Sequence, residues 1–238
     1  MRRAPQVIAI VLLALTFVRP ATASPLILNG GFESGLVNWV LADQPGSSGG
    51  SFLQSGTTSP LNAVAVPAPP GGTFALMTDQ FGPGSHIFYQ DFVVPIGVTS
   101  ATLGLQYFVH NYAGIFVNGP SLDYTAGPNQ GARADIMTTS ASPFSIAAAD
   151  VLFNVGRTDP SSPFIEGYTL LVADVTALLA AHGGETLRLR FAEVDNQGNF
   201  NLGIDNVRLE ATSVPEPGSL LLLGTGVAAV IRRLARRS

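Results

Sequence analysis

Seven short runs of β-branched and aromatic residues, separated by clusters of Gly, Pro, Asn and Ser, direct this chain toward an all-β fold. The spacing predicts strands over 74–78, 87–94, 102–109, 134–138, 168–172, 187–191 and 204–210. In "ATLGLQYFVHN", Leu103, Leu105, Tyr107 and Val109 alternate with Thr102, Gly104, Gln106, Phe108 and His110. That period sets one face in a core and leaves a second, partly polar face. Seven or more strands between residues 24 and 213 predict a two-sheet sandwich. The one helical pattern is "VADVTALLAAHGG", expected to be capped by Asp174 or Thr176 and stopped by Gly183. "PGSSGGS", "VPAPPGG" and residues 117–131 lack periodicity and read as loops.

Both ends of the chain differ in kind from this middle. Residues 1–23 carry Arg2 and Arg3, a twelve-residue apolar run from Val7 to Val18, the helix breaker Pro20, then Ala21-Thr22-Ala23. This is the layout of a signal helix cleaved by signal peptidase after Ala23, and the run is short for a membrane span. The chain has no cysteine, so disulfides, thiolate metal sites and cysteine nucleophiles are excluded. Residues 214–238 hold Pro215, Glu216 and Pro217, a thirteen-residue apolar stretch from Ser219 to Ile231, and arginines at 232, 233, 236 and 237. A C-terminal transmembrane helix is expected there, its arginines snorkelling to the cytoplasmic interface. The residues between the two ends then lie outside the inner membrane.

The order of parts in "VPEPGSLLLLGTGVAAVIRR" resembles the PEP-CTERM domain of Gram-negative bacteria. The resemblance implies recognition by an exosortase, a membrane-embedded transpeptidase that cuts near Pro215-Glu216-Pro217, with Arg232 and Arg233 completing the signal. It also implies an inner-membrane intermediate, then delivery to the cell surface or extracellular matrix.

Residues 24–213 contain five arginines against fifteen acids, about −10 in all. That sign excludes nucleic acid as a partner and suits calcium or a neutral polymer such as extracellular polysaccharide. "LILNGGFESGLVNW" and "NLGIDNVRLE" resemble the first and last strands of galactose-binding-like jelly rolls, found in many carbohydrate-binding modules. The likeness implies a jelly-roll sandwich over 24–213, with one short helix. It also implies a structural calcium held by Glu33 and Asp205 once the terminal strands pair; turn capping is the alternative for both acids. Trp39 sits where such domains bury an aromatic, a core role preferred to sugar stacking. A sugar platform is expected from Gln106, Phe108 and His110, which share a face, with Tyr112 following; a loop-covered second face is the competing expectation.

Motifs for catalysis are weak. "GSSGG" at 46–50 satisfies G-x-S-x-G around Ser48 but lacks the strand before and the helix after that a nucleophile elbow needs. His86, His110 and His182 have no zinc spacing, and "DNQGNFN" misplaces the glycine of an EF-hand. The expected function is a surface or matrix protein that binds carbohydrate without catalysis. A structural protein without a ligand, or a polysaccharide-active enzyme, are the alternatives.

Overall fold

The computed structural model describes residues 23–214. The expected signal helix, apart from Ala23, and the expected C-terminal helix with Pro215, Glu216, Pro217, Arg232 and Arg233 lie outside the described residues. Eleven strands are formed: β1 (Ser24–Pro25), β2 (Val40–Asp43), β3 (Gly50–Gln54), β4 (Ala75–Asp79), β5 (Gly84–Val93), β6 (Val98–Asn111), β7 (Gln130–Thr138), β8 (Val151–Arg157), β9 (Ile165–Asp174), β10 (Thr186–Asp195) and β11 (Phe200–Ser213). One helix, α1, spans Thr176–Ala181. The first sheet runs β3-β4-β11-β6-β9, with β1 also on β11, and the second runs β2-β5-β10-β7-β8. All pairings are antiparallel. From β4 onward the chain changes sheet at nearly every connection, the interleaving of a jelly-roll sandwich.

Strand alternation builds the core. Leu103, Leu105 and Val109 of β6 point between the sheets and meet Leu76, Phe88, Leu189, Phe191 and Leu202 in one apolar cluster. Trp39 joins this cluster, its ring centroid 5.2 Å from that of Phe32 and 6.1 Å from that of Phe88. Its indole N–H donates to the carbonyl of Asn29 at 3.0 Å, so the only tryptophan pins the loop after β1 to the core.

All seven expected strands are present, most of them longer than their apolar runs. Of the others, β1 is the first strand that the likeness of residues 26–39 implied, formed at 24–25 instead, while no expectation covered β2, β3 and β8. The last three are edge strands, in which backbone pairing rather than an apolar alternation sets the conformation. β3 starts at Gly50, inside the stretch expected to be a loop. The helix is capped by neither expected side chain. Asp174 Oδ1 accepts the N–H of Thr176 at 2.9 Å, but the N-cap is Val175, and the Thr176 hydroxyl is spent on the backbone of Ala101. The left-handed glycine beyond the helix is Gly184, one residue later than expected. Among the described residues no helix is long and apolar enough to cross a membrane.

One irregularity positions the site. The β11–β6 register shifts between Asp205 and Arg208, and Asn206 has φ 51°. This bulge inserts an extra residue, so inward positions change from Leu202 and Ile204 to Val207, Leu209 and Ala211. Asp205 is left on the outer face of the first sheet, opposite Gln106.

Candidate functional site

The outer face of the first sheet carries every site residue expected between 24 and 213, divided into three zones. At one end Asp205, with no exposed surface, and the exposed Glu33 converge on the loop before β4. Glu33 Oε1 accepts the N–H groups of Thr73 and Phe74 at 2.8 and 2.9 Å, and Asp205 Oδ2 accepts that of Gly71 at 3.1 Å. The loop comes this close because residues 71 and 72 are glycine. A Cβ on Gly72, at φ +65°, would lie 2.4 Å from Glu33 Oε1, and one on Gly71 would lie 2.5 Å from the Asn206 amide. Burial, aided by the negative charge of Glu33, pushes the Asp205 carboxyl up to about 6, against hydrogen bonds from Asn206 and Gly71. Phe32, a buried aromatic, holds φ 56° next to Glu33, an unusual backbone state for a bulky residue. Two acids and three left-handed residues, Asn29, Phe32 and Asn206, thus gather where the first and last strands meet.

The four residues expected as a sugar platform do not form one. Gln106 belongs to the acidic zone, where its Oε1 accepts the Asn206 amide N–H at 2.8 Å. Phe108 is 2% exposed and packs with Val66 and Met77, with Val64 and Tyr168 beside it. The covering segment is a small hairpin closed by Thr58 and Ala65, lying over the sheet. Phe108 therefore fills a satellite core and offers no open ring face.

His110 and Tyr112 form the third zone. Their rings stack at 3.8 Å with 25° between planes, and Tyr112 is 44% exposed. The Tyr112 N–H donates to the carbonyl of Asn199 at 3.0 Å, which sets the ring beside the amide-rich turn Asn196-Gln197-Gly198-Asn199. Burial lowers the His110 pKa, and its buried Nδ1 has no partner among the described residues. Phe164 and Ile165 extend the exposed apolar surface, since Ile165 pairs with His110 in the ladder.

A polar cluster that sequence reasoning missed lies between the sheets. His86 is fully buried; its Nδ1 meets Asp43 Oδ1 at 2.8 Å and its Nε2 meets the carbonyl of Ser48 at 3.0 Å. Both ring nitrogens are thus engaged, one by a carboxylate and one by a backbone carbonyl, which fixes the ring in place. The contact at residue 48 is to the carbonyl rather than Oγ, so the Asp–His pair holds the 46–50 loop instead of addressing a nucleophile. Glu193, the ladder partner of His86, is fully buried, and neither of its carboxyl oxygens has a hydrogen-bond partner among the described residues. Burial first, then Asp195 and Asp43, push its carboxyl well above the usual range. The available signal was parity, because Glu193 continues the inward series Leu187, Leu189, Phe191. Among the described residues no group of three or more His, Cys, Asp or Glu is placed to hold a metal.

Comparison with known proteins adds the following. The family model for the PEP-CTERM protein-sorting motif matches residues 213–237. The chain carries this motif, which marks it for export and for exosortase processing through a membrane-anchored sorting intermediate. No curated protein sequence matches it. Among solved structures it is similar to TmCBM61 in complex with β-1,4-galactotriose, at 12% identity over 78% of this chain and 97% of that one, TM-score 0.44. It is also similar to the K3 cleaved adhesin domain of Lys-gingipain from Porphyromonas gingivalis, at 11% identity over 79% and 99%, TM-score 0.47. A Stig cyclase, Fisc from Fischerella sp. TAU, is similar at 13% identity over 82% and 100%, TM-score 0.46.

Proposed function

We propose that this exported protein acts at the cell surface or in the extracellular matrix by holding carbohydrate or a related polymer, without catalysis. The observation that carries this reading is the Tyr112 ring, exposed, braced from behind by His110 and bordered by an amide-rich turn. Sugar recognition joins an apolar ring face to hydrogen-bonding amides, and an aromatic already stacked loses little freedom on binding. A glycan array probed with the full chain tests it. Selective binding is expected, and Tyr112→Ala should weaken it about tenfold, about 1.4 kcal/mol, while moving the melting temperature by no more than a few degrees. Silence on every glycan would favour a purely structural role, and release of a shortened glycan would favour an enzyme.

Glu33 and Asp205 are, in the same proposal, the acids of a structural calcium site. The fit rests on a buried carboxylate, Asp205, raised in part by a second acid that faces it across a glycine loop. Hard oxygen donors of this kind suit calcium, with backbone carbonyls completing the shell. Bound there, the cation would clip the 29–39 loop, the loop before β4 and the β11 bulge together, the task a disulfide cannot perform in a chain without cysteine.

A further inference from the structure

We infer that the cavity between the two sheets, beneath the β8–β9 connection, binds a small apolar molecule with one hydrogen-bond-accepting head group. The cavity measures about 230 Å³. Its origin is a fall in side-chain volume across one row of the second sheet, where Phe88, Phe191, Ala134 and Gly156 are successive ladder partners. The facing wall of the first sheet supplies Leu105, Val109, Leu202 and Ile204, while Ala132 and Ala134 leave the space unfilled. Protein cores elsewhere pack closely, and an unfilled apolar space of this size is costly to keep. An apolar cavity of about 150 Å³ is enough for benzene, so this one takes a single ring plus a short head group.

The mouth decides the head group. Glu166 already accepts the Tyr107 hydroxyl at 3.4 Å, and the Thr169 hydroxyl lies 3.3 Å from it, shared with the Gly167 carbonyl at 3.0 Å. Asp159 accepts the Ser161 N–H and O–H at 2.8 and 2.6 Å, and Arg133 is held by Asp135 in a two-point pair. Arg157, by contrast, has no ion pair or side-chain hydrogen bond among the described residues, although Asp159 lies close enough to feel its charge. The Ser162 hydroxyl accepts the Asp159 N–H at 3.0 Å, and its own proton has no acceptor among the described residues. Glu166 and the nearby Asp159 are supplied with donors, whereas the exposed Arg157 and the half-buried Ser162 carry donors open to solvent, which a ligand entering there would need an acceptor to engage. An ester, carbonyl or carboxylate head answers that need, and an ammonium head does not. None of these residues contributes to the Tyr112 zone, so this inference stands apart from the carbohydrate reading.

The test uses the full chain kept in solution by an amphipathic polymer, with methyl benzoate, benzoate and benzylamine as probes in thermal melts and equilibrium dialysis. Methyl benzoate and benzoate should bind and raise the melting temperature, and benzylamine should do neither. Ala134→Leu, which fills the cavity from its wall, should raise the melting temperature without ligand and weaken both probes at least tenfold. Should that variant not fold, Ala132→Val adds less volume and serves the same purpose. Arg157→Gln should weaken benzoate more than methyl benzoate if the head is anionic, and both alike if it is a neutral acceptor. The inference is overturned if no probe binds, if benzylamine binds as well as the others, or if the filled variant binds as tightly as the parent.

Discussion

Burying a carboxylate ties stability to pH, and at Asp205 the direction can be worked out. Its folded value, about 6, lies above that of an unfolded aspartate, so between the two the folded state holds the extra proton. Its contribution to stability is complete below about pH 4 and is lost as pH rises through 6, by at most about 3 kcal/mol. Asp195, which burial also raises to about 6, and Glu193 act in the same direction. His110, whose pKa burial lowers, opposes them over part of this window, but three carboxyls outweigh one imidazole, so without calcium the melting temperature should fall between pH 4 and pH 7. Under the proposed calcium site the cation would take the place of the proton at Asp205, so added millimolar calcium should recover part of that loss at pH 7 and little at pH 4. Asp205→Asn should remove the calcium response and soften the pH slope without abolishing it. Identical melts with chelator and with calcium at pH 7 would leave Glu33 and Asp205 as turn residues. Phe108 gives the complementary contrast. With 2% exposure beneath the 58–65 hairpin, Phe108→Ala should cost about 3–5 kcal/mol and leave glycan binding by Tyr112 in place. Weakened glycan binding with an unchanged melting temperature would instead return Phe108 to the sugar site.

The elements that could be foreseen are those whose side chains alternate against the core. β6 is the clearest case, since Leu103, Leu105 and Val109 sit inward as their period predicts. Edge strands were not legible, because β8 reads Val-Leu-Phe-Asn-Val-Gly-Arg, with no fully buried position and no clean alternation. The acid pair could be foreseen from the two ends of the chain, since pairing of β1 with β11 brings them together. The burial of Phe108 could not, because it depends on where a non-periodic loop lies down. Nor could the bulge in β11, which decides which face Asp205 occupies. Its key residue, Asn206, holds φ 51°, which asparagine tolerates and a β-branched residue does not. Asn206→Gly should keep the fold, losing the amide bond to Gln106 and the longer one to Asp205, whereas Asn206→Val should destabilise by about 1–2 kcal/mol or more. Equal stability of the two variants, measured by denaturant titration, would show that the bulge does not depend on the left-handed residue.

At the scale of the whole molecule, the sandwich and the sorting signal meet at one strand. β11 lies between β4 and β6 in the first sheet, and its last residue, Ser213, still pairs with Val98. The Val214 N–H donates to the carbonyl of Gly97 at 3.0 Å, so ladder bonding persists to the residue before Pro215. The sorting motif begins at 213, and the Pro-Glu-Pro triplet follows directly on the last backbone bond among the described residues. A cut near that triplet would therefore spare all eleven described strands, and the folded body could be delivered intact. Proline at 215 and 217 also lacks the N–H donor that a β-ladder uses. Replacing Pro215, Glu216 and Pro217 by alanine should then change sorting but not folding. In its own host the variant should accumulate at full length in the inner membrane, while its melting temperature stays within a few degrees of the parent. Surface delivery of the alanine variant at the parental rate would show that the triplet is not what the sorting enzyme reads. A large loss of stability would show that the triplet belongs to the sandwich instead.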